Sequence, residues 1–509
     1  MSLISVNNLT FGYDGSLKNI FENVSFNIDT DWKLGLIGRN GKGKTTFLKL
    51  LLGKYEYQGA ISKNVEFDYF PFEVKNKERM AIEIVNEIAP NVEDWEIIRE
   101  LNLLNTDTEV LYRSFNLLSG GEQIKILLIS LFLKGNNFLL IDEPTNHLDI
   151  ETRNNLVNYL EKKKGFILVS HDRIFLDKVI DHIIAINNTN IEIQQGNFSS
   201  WKENKDRQDN FEIMQNEKIQ KDISRLEIAS KNTAKWSNEA EKAKSKKYNS
   251  ETHIDKGYIG HKAAKVMKTS KVMEQKIEKS IAEKSNLLKN IDRSDNLKLI
   301  PLTTNRNPLI WLKNLQIKYN NKEIFNPISF EVNDGDRIAI IGKNGIGKSS
   351  ILKLLLREEL QYNGNFKIIN DLKISYVSQS TDNLKGKLKL FAKENNVDES
   401  IFKAMLVKMG LSQFDFDTNI QDMSEGQKKK VLIAKSISEQ ANIYIWDEPL
   451  NYIDILTREQ IEDAILNYNP TIIFVEHDEK FIEKVADDNY RFGTIDQEIF
   501  QPLDGFNIK

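Results

Sequence analysis

Gly38-Arg39-Asn40-Gly41-Lys42-Gly43-Lys44-Thr45-Thr46 decides how this chain is read, because it is written twice. It returns as Gly342-Lys343-Asn344-Gly345-Ile346-Gly347-Lys348-Ser349-Ser350, 304 residues later. Each copy follows an apolar run and opens a helical pattern. The glycines let backbone N–H groups face a phosphate, and the helix start adds a favourable dipole. Gly38, Asn40, Gly41, Gly43, Lys44, Thr45 and Thr46 are expected to hold a nucleotide, as are Gly342, Asn344, Gly345, Gly347, Lys348, Ser349 and Ser350. Lys44 and Lys348 should reach the β- and γ-phosphates, and Thr45 and Ser349 should ligate Mg2+.

Other pairs keep the same offset. Ile141-Asp142-Glu143-Pro144 recurs as Trp446-Asp447-Glu448-Pro449, and Ser170-His171-Asp172 as Glu476-His477-Asp478. A near-constant offset across a whole domain implies duplication of one fold. Phe138-Leu-Leu-Ile141 and Ile443-Tyr-Ile-Trp446 are short, wholly apolar runs, as expected of buried parallel strands. Residues 9–26 and 315–332 alternate around aromatics and read as antiparallel strands. The expected class is α/β, with tandem ATPase domains over 1–203 and 301–509.

The remaining repeats carry chemistry. Asp142 and Asp447 should hold Mg2+, and Glu143 and Glu448 are placed to polarise an attacking water. His171 and His477 each follow a β-branched strand and are expected at a γ-phosphate. Ser119-Gly120-Gly121-Glu122-Gln123 and Ser424-Glu425-Gly426-Gln427 each precede an apolar helix, and a small-residue turn there makes an anion nest.

Residues 204–300 differ in kind. Ile219, Ile223, Leu226, Ala229, Trp236, Ala240 and Ala243 fall on a three-four spacing, and so do Val266, Met273, Ile277, Ile281, Leu288 and Ile291. Two long helices in an antiparallel coiled coil are expected, with the tip at about 243–261. From 231 to 271 there are eleven lysines and four acids, a net +7 in a chain of net charge −4. Lysines neutralise phosphates and aromatics stack on bases. Lys242, Lys244, Lys246, Lys247, Tyr248, Lys256, Tyr258 and Lys262 are thus candidates for contact with structured RNA.

The chain has 509 residues and no cysteine, which excludes disulfides and cysteine-ligated metals. No apolar run reaches the roughly 18 residues of a membrane span, and the N-terminus lacks a secretion pattern. A cytoplasmic location is expected.

Together the motifs resemble the ATP-binding cassette superfamily over almost the whole chain. The loops Asn146-His147-Leu148-Asp149 and Asn451-Tyr452-Ile453-Asp454 match as well. The resemblance implies two ATP molecules held head to tail. The loop at 38–46 would face the signature at 424–427, and the loop at 342–350 would face Ser119, Gly120, Gly121 and Gln123. It also implies that Tyr13 and Tyr319 stack on adenine and that Gln379, in the Q-loop place, serves the metal. Two such domains with a charged helical linker resemble the ABC-F subfamily. Phe11-Gly-Tyr-Asp-Gly, Asn23-Val-Ser-Phe and residues 47–57 resemble the Lsa branch of its Lsa/Vga-type antibiotic-resistance proteins.

That resemblance implies a monomeric clamp on the 70S ribosome, in the E site beside 23S rRNA and P-site tRNA. Its linker would point at the peptidyl-transferase centre and protect against lincosamides, pleuromutilins and streptogramin A. No DNA and no membrane domain would be involved. A housekeeping translation factor and a transporter ATPase are the rival readings. Two departures bear on the Lys44 site: Phe72 stands in the Q-loop place, and Glu425 replaces a glycine. A carboxylate there should weaken the anion nest and slow hydrolysis.

Overall fold

The computed structural model describes residues 3–13, 19–135, 137–146, 148–187, 190–245, 268, 272–273, 276–277, 279–280, 296–304, 306–319 and 322–491. Two compact units emerge, Met1–Trp201 with Ser294–Lys509, and Lys202–Arg293.

The first unit builds one α/β body twice. In its first half, β1 (Leu3–Phe11), β2 (Phe21–Asp29) and β4 (Gln58–Ser62) form an antiparallel sheet. The other strands are β3 (Lys33–Ile37), β5 (Glu66–Phe70), β6 (Asn137–Asp142), β7 (Phe166–Val169), β8 (His182–Asn187) and β9 (Asn190–Gln195). They make a sheet of order β5-β6-β7-β3-β8-β9, parallel except for β9.

The second half repeats this plan. Its antiparallel sheet holds β10 (Ile310–Tyr319), β11 (Lys322–Glu323), β12 (Ile328–Val332) and β14 (Gln361–Ile368). Its parallel strands are β13 (Arg337–Ile341), β15 (Ile374–Val377), β16 (Ile443–Asp447), β17 (Ile472–Val475) and β18 (Asp488–Arg491). Their order, β15-β16-β17-β13-β18, matches the first five strands of the other sheet one for one.

Burial on both faces explains the wholly apolar central strands. In β6, Phe138 and Leu140 enter one core cluster, and Leu139 and Ile141 enter the cluster on the opposite face. In β16, Ile443 and Ile445 divide from Tyr444 and Trp446 in the same way. Period-2 geometry sends successive side chains to opposite faces, so no polar residue fits before the strand ends. Asp142 and Asp447 are those ends. Carboxyl ends of parallel strands are where such sheets bind ligands.

A helix runs over Phe198–Ser245, 48 residues and hence about 70 Å at 1.5 Å per residue, and from Lys202 onward it belongs to the second unit. Ile219, Ile223 and Leu226 are half-buried at the expected spacing, whereas Ala229 is exposed. Every described residue between 268 and 280 is helical; there Ile277 is buried and Met273 exposed. A coiled-coil seam would bury Ala229 and Met273, so the described side chains follow the expected stripe only in part. The tip falls almost wholly outside the described residues.

Candidate nucleotide sites

Each phosphate loop turns into its helix at a glycine in left-handed backbone. Gly43 (φ 98°) precedes the helix Lys44–Leu51, and Gly347 (φ 105°) precedes Lys348–Leu355. A side chain at Gly43 would be strained at that φ and would stand 2.6 Å from Ile20 Cγ2. The buried Lys44 Nζ donates to Gly38 O at 2.6 Å and Asn40 Oδ1 at 3.1 Å. Lys348 Nζ donates to Gly342 O at 2.7 Å and Asn344 Oδ1 at 3.4 Å. Burial lowers both ammonium pKa values against the pull of nearby carboxylates. Tyr13 and Tyr319 stand beside these helices, each residue 45% exposed. Their hydroxyls pair with Thr46 Oγ1 at 2.9 Å and Ser350 Oγ at 3.3 Å.

The strand-end acids meet the helix hydroxyls. Thr45 Oγ1 donates to Asp142 Oδ2 at 3.3 Å, and Ser349 hydrogen-bonds Asp447. Tyr69 OH also donates to Asp142, at 2.8 Å. The next residues, Glu143 (φ 52°) and Glu448 (φ 45°), are both held in left-handed backbone. Such strain costs of order 1 kcal/mol and persists where surrounding structure fixes it. His171 Nε2 lies 3.3 Å from Glu143 Oε1, and His477 Nε2 lies 3.8 Å from Glu448 Oε1. Burial, then Asp142, pushes the Glu143 carboxyl up to about 8. Burial and the phosphate-loop lysines push His171 down, and push His477 down to about 3. Both imidazoles are therefore neutral at pH 7, each with one N–H to donate.

The two halves meet across these sites. Asn40 Nδ2 donates to Tyr452 O at 2.8 Å. A Cβ on Gly426 would stand 2.7 Å from Tyr452 O and 2.9 Å from Asn40 Nδ2, so only glycine permits that approach. The loop at 38–46 thus lies against 424–427. At the other site, Lys343 pairs with Glu151 at 2.7 Å and the Asn344 backbone bonds Asp149. Arg153 Nη1 spans the joint, donating to Asp172 Oδ2 at 3.1 Å and His477 O at 2.8 Å. Ile150 packs on the second half's core and Ile455 is buried in the first's.

Three placements refine the expected sites. First, Glu122 stands where Gln427 stands in the other signature. Glu122 caps its helix through Ser119, with Oε2 accepting from Ser119 N at 2.7 Å, and Gln427 Oε1 accepts from Ser424 N at 3.0 Å. Gln123 Nε2 instead ties down Phe115 O and Leu118 O. The Ser-x-x-Glu/Gln spacing of a capping box was the available signal. Second, the Glu425 carboxylate is not offered to the nest. It accepts from Thr381 Oγ1 and pairs with Lys428 at 2.9 Å, which lowers its pKa. Third, the Gln379 residue is exposed, and its carbonyl rather than its side chain is engaged, by Lys429. Phe72 packs against the first-half core. Of the rRNA candidates, Lys242 and Lys244 fall on the helix Phe198–Ser245, and Lys246, Lys247, Tyr248, Lys256, Tyr258 and Lys262 lie outside the described residues.

A family model described as "ABC transporter" matches residues 21–146 and again 325–451. The chain is 30% identical to the ATP-binding protein Uup of Buchnera aphidicola over 96% of its own length and 80% of that protein's. This chain belongs to the ABC-F subfamily of ATP-binding cassette ATPases. Like its relatives, this ABC-F protein is an ATP hydrolase. It is 27% identical to the ribosome protection protein VmlR of Bacillus subtilis, over 93% of this chain and 84% of that one. It is 28% identical to the erythromycin resistance ATP-binding protein MsrA of Staphylococcus epidermidis, over 89% and 91%. Among solved structures, the archaeal ribosome recycling factor aABCE1 shares the fold, with TM-score 0.62 and 20% identity over 96% of this chain and 87% of that one.

The ABC-F site chemistry fits ATP and a hard cation. Glu143 Oε1, Asp447 Oδ1 and both ring nitrogens of His477 are buried with no hydrogen-bond partner, and all four border the phosphate loops. Buried polar atoms of this kind need partners, and phosphate oxygens, a cation and its waters would supply them. The hydroxyl and carboxylate pairs Thr45–Asp142 and Ser349–Asp447 are oxygen donors of the kind Mg2+ prefers.

Proposed function

We propose that this ABC-F ATPase is a ribosome protection factor that works as a timed clamp. The reading divides the chain into ATPase domains at 1–203 and 301–509 and a helical hairpin at 204–300. The joined halves carry it: Asn40 meets Tyr452 at one site and Lys343 meets Glu151 at the other. Two ATP molecules would lie in these joints, each under the opposite half's signature. Thr45 with Asp142, and Ser349 with Asp447, would hold Mg2+, a Lewis acid that neutralises developing phosphate charge. Glu143 and Glu448 would orient the attacking water and His171 and His477 would donate to the γ-phosphate. Tyr13 and Tyr319 would stack on adenine.

In the cytoplasm, the closed form would enter the ribosomal E site and aim the hairpin at the peptidyl-transferase centre. There it would counter lincosamides, pleuromutilins and streptogramin A, and hydrolysis would time its release. The names of VmlR and MsrA and the net +7 of residues 231–271 support this reading. Among the described residues no helix is long and apolar enough to cross a membrane, and a transporter engine, which works on a partner's membrane helices, would have no use for the long basic linker. The test is pull-down of the Glu143→Gln, Glu448→Gln variant in ATP. Ribosomal RNA in the pellet is expected, and reversing Lys244, Lys246 and Lys247 to Glu should remove it. An RNA-free pellet would sink the proposal. If rRNA co-purifies but the chain confers no drug tolerance, the housekeeping reading takes its place.

A further inference from the structure

We infer that Lys429 is a positioning residue that couples the two nucleotide sites through the second half alone. Lys429 sits on the helix Glu425–Ser438, whose N-cap Ser424 opens the signature at the Lys44 site. Its side chain is 1% exposed. Nζ donates to Ser378 O at 2.7 Å and Gln379 O at 3.1 Å, and reaches Asp447 O at 3.4 Å. An ammonium has three N–H groups and no acceptor, so these three carbonyls use its whole capacity. All three belong to the Lys348 site, on the loop after β15 and at the end of β16.

One stiff helix is thus bound at two places. Its N-terminus faces the nucleotide of one site, and one turn further on it is fixed to the backbone that carries Gln379 and Asp447 at the other. Any shift of that backbone, as when a γ-phosphate is lost, moves the helix that presents Ser424 and Gly426. The coupling energy is reciprocal, so the Lys44 site acts back on the Lys348 site through the same contacts.

Among the described residues the first half has no such link. Ile124 occupies the equivalent place, five residues after Ser119, and packs against the apolar core. Phe72, in place of Gln379, packs against that core too. A buried charge is costly to keep, and an isoleucine fills the same position in the first half without one. The lysine therefore serves something that packing alone does not require. The inference rests on assigning Gln379 and Asp447 to the Lys348 nucleotide.

The test uses the full chain with Lys429→Ile, Gln379→Ala and their combination, read as steady-state ATP turnover. Lys429→Ile should lower kcat about tenfold with KM nearly unchanged. In the Gln379→Ala background the same change should cost less than about twofold, because the amide that the lysine positions is gone. Cooperativity of ATP binding, measured with Glu143→Gln and Glu448→Gln present, should fall towards a Hill coefficient of one in both Lys429→Ile and the milder Lys429→Gln. Independent, multiplying losses or an unchanged Hill coefficient would overturn the coupling role. An inert Gln379→Ala would instead remove the site assignment beneath it, and the coupling with it.

Discussion

The side-chain amide of Asn40 donates to the main-chain carbonyl of Tyr452 at 2.8 Å, joining the phosphate loop of one half to the loop after the acidic pair of the other. Tyr452 adopts φ 64°, left-handed backbone that a bulky residue rarely takes. Asn40→Ala removes this bond and an acceptor for Lys44, about 1–2 kcal/mol together. Closure in ATP, followed by energy transfer between labelled halves of the Glu143→Gln, Glu448→Gln protein, should need roughly tenfold more ATP. Unchanged ATP dependence would show that the contact is incidental.

Arg173 and Glu462 form a second tie between the halves, with side chains 4% and 0% exposed. Arg173→Met leaves a buried carboxylate with only Lys484 beside it, at 3.1 Å. A loss of about 3 kcal/mol is expected from breaking such a pair, and Glu462→Leu added to Arg173→Met should recover most of it. Chemical unfolding of the three variants checks both statements. A double variant as unstable as the single one would refute them.

The two glutamates are not equally held. Glu448 Oε2 accepts from a side chain, Asn451 Nδ2, at 2.7 Å, whereas the Glu143 carboxyl accepts from the His171 backbone, its Oε1 stays unpaired and its site has Phe72 in the Q-loop place. Glu448→Gln should therefore remove most turnover, about 100-fold, and Glu143→Gln only about 2- to 3-fold. Equal losses in single-turnover assays would mean that the sites work alike.

Glu476 stands where the first half has Ser170. It is buried, accepts from Leu450 N at 2.7 Å and His477 N at 3.0 Å, and burial pushes its carboxyl up to about 7. The folded chain therefore holds this proton more tightly than the unfolded chain does. The stabilisation is complete below about pH 4.5 and is lost as pH rises through 7, a change of about 3 kcal/mol. Glu476→Gln cannot titrate, so it should gain on the wild type between pH 5 and pH 8 in urea unfolding. A constant gap between them would disprove this.

Much of this was legible because it is local. The glycine loops, the apolar strands ending in Asp142 and Asp447, and the histidines after β7 and β17 are short patterns with a backbone reason behind each. What escaped lies across the chain. Arg153 reaches His477 O, 324 residues away, and Thr381 takes the Glu425 carboxylate, 44 residues away. No periodicity announces either contact.

Ile150 of the first half rests on the second half's core, and Ile455 of the second is buried in the first's. Because one polypeptide supplies both residues, each meets its socket at an effective concentration fixed by the tether, not by how much protein a cell makes. Dilution would leave the grip unchanged, and a single copy could engage its target without first finding a mate.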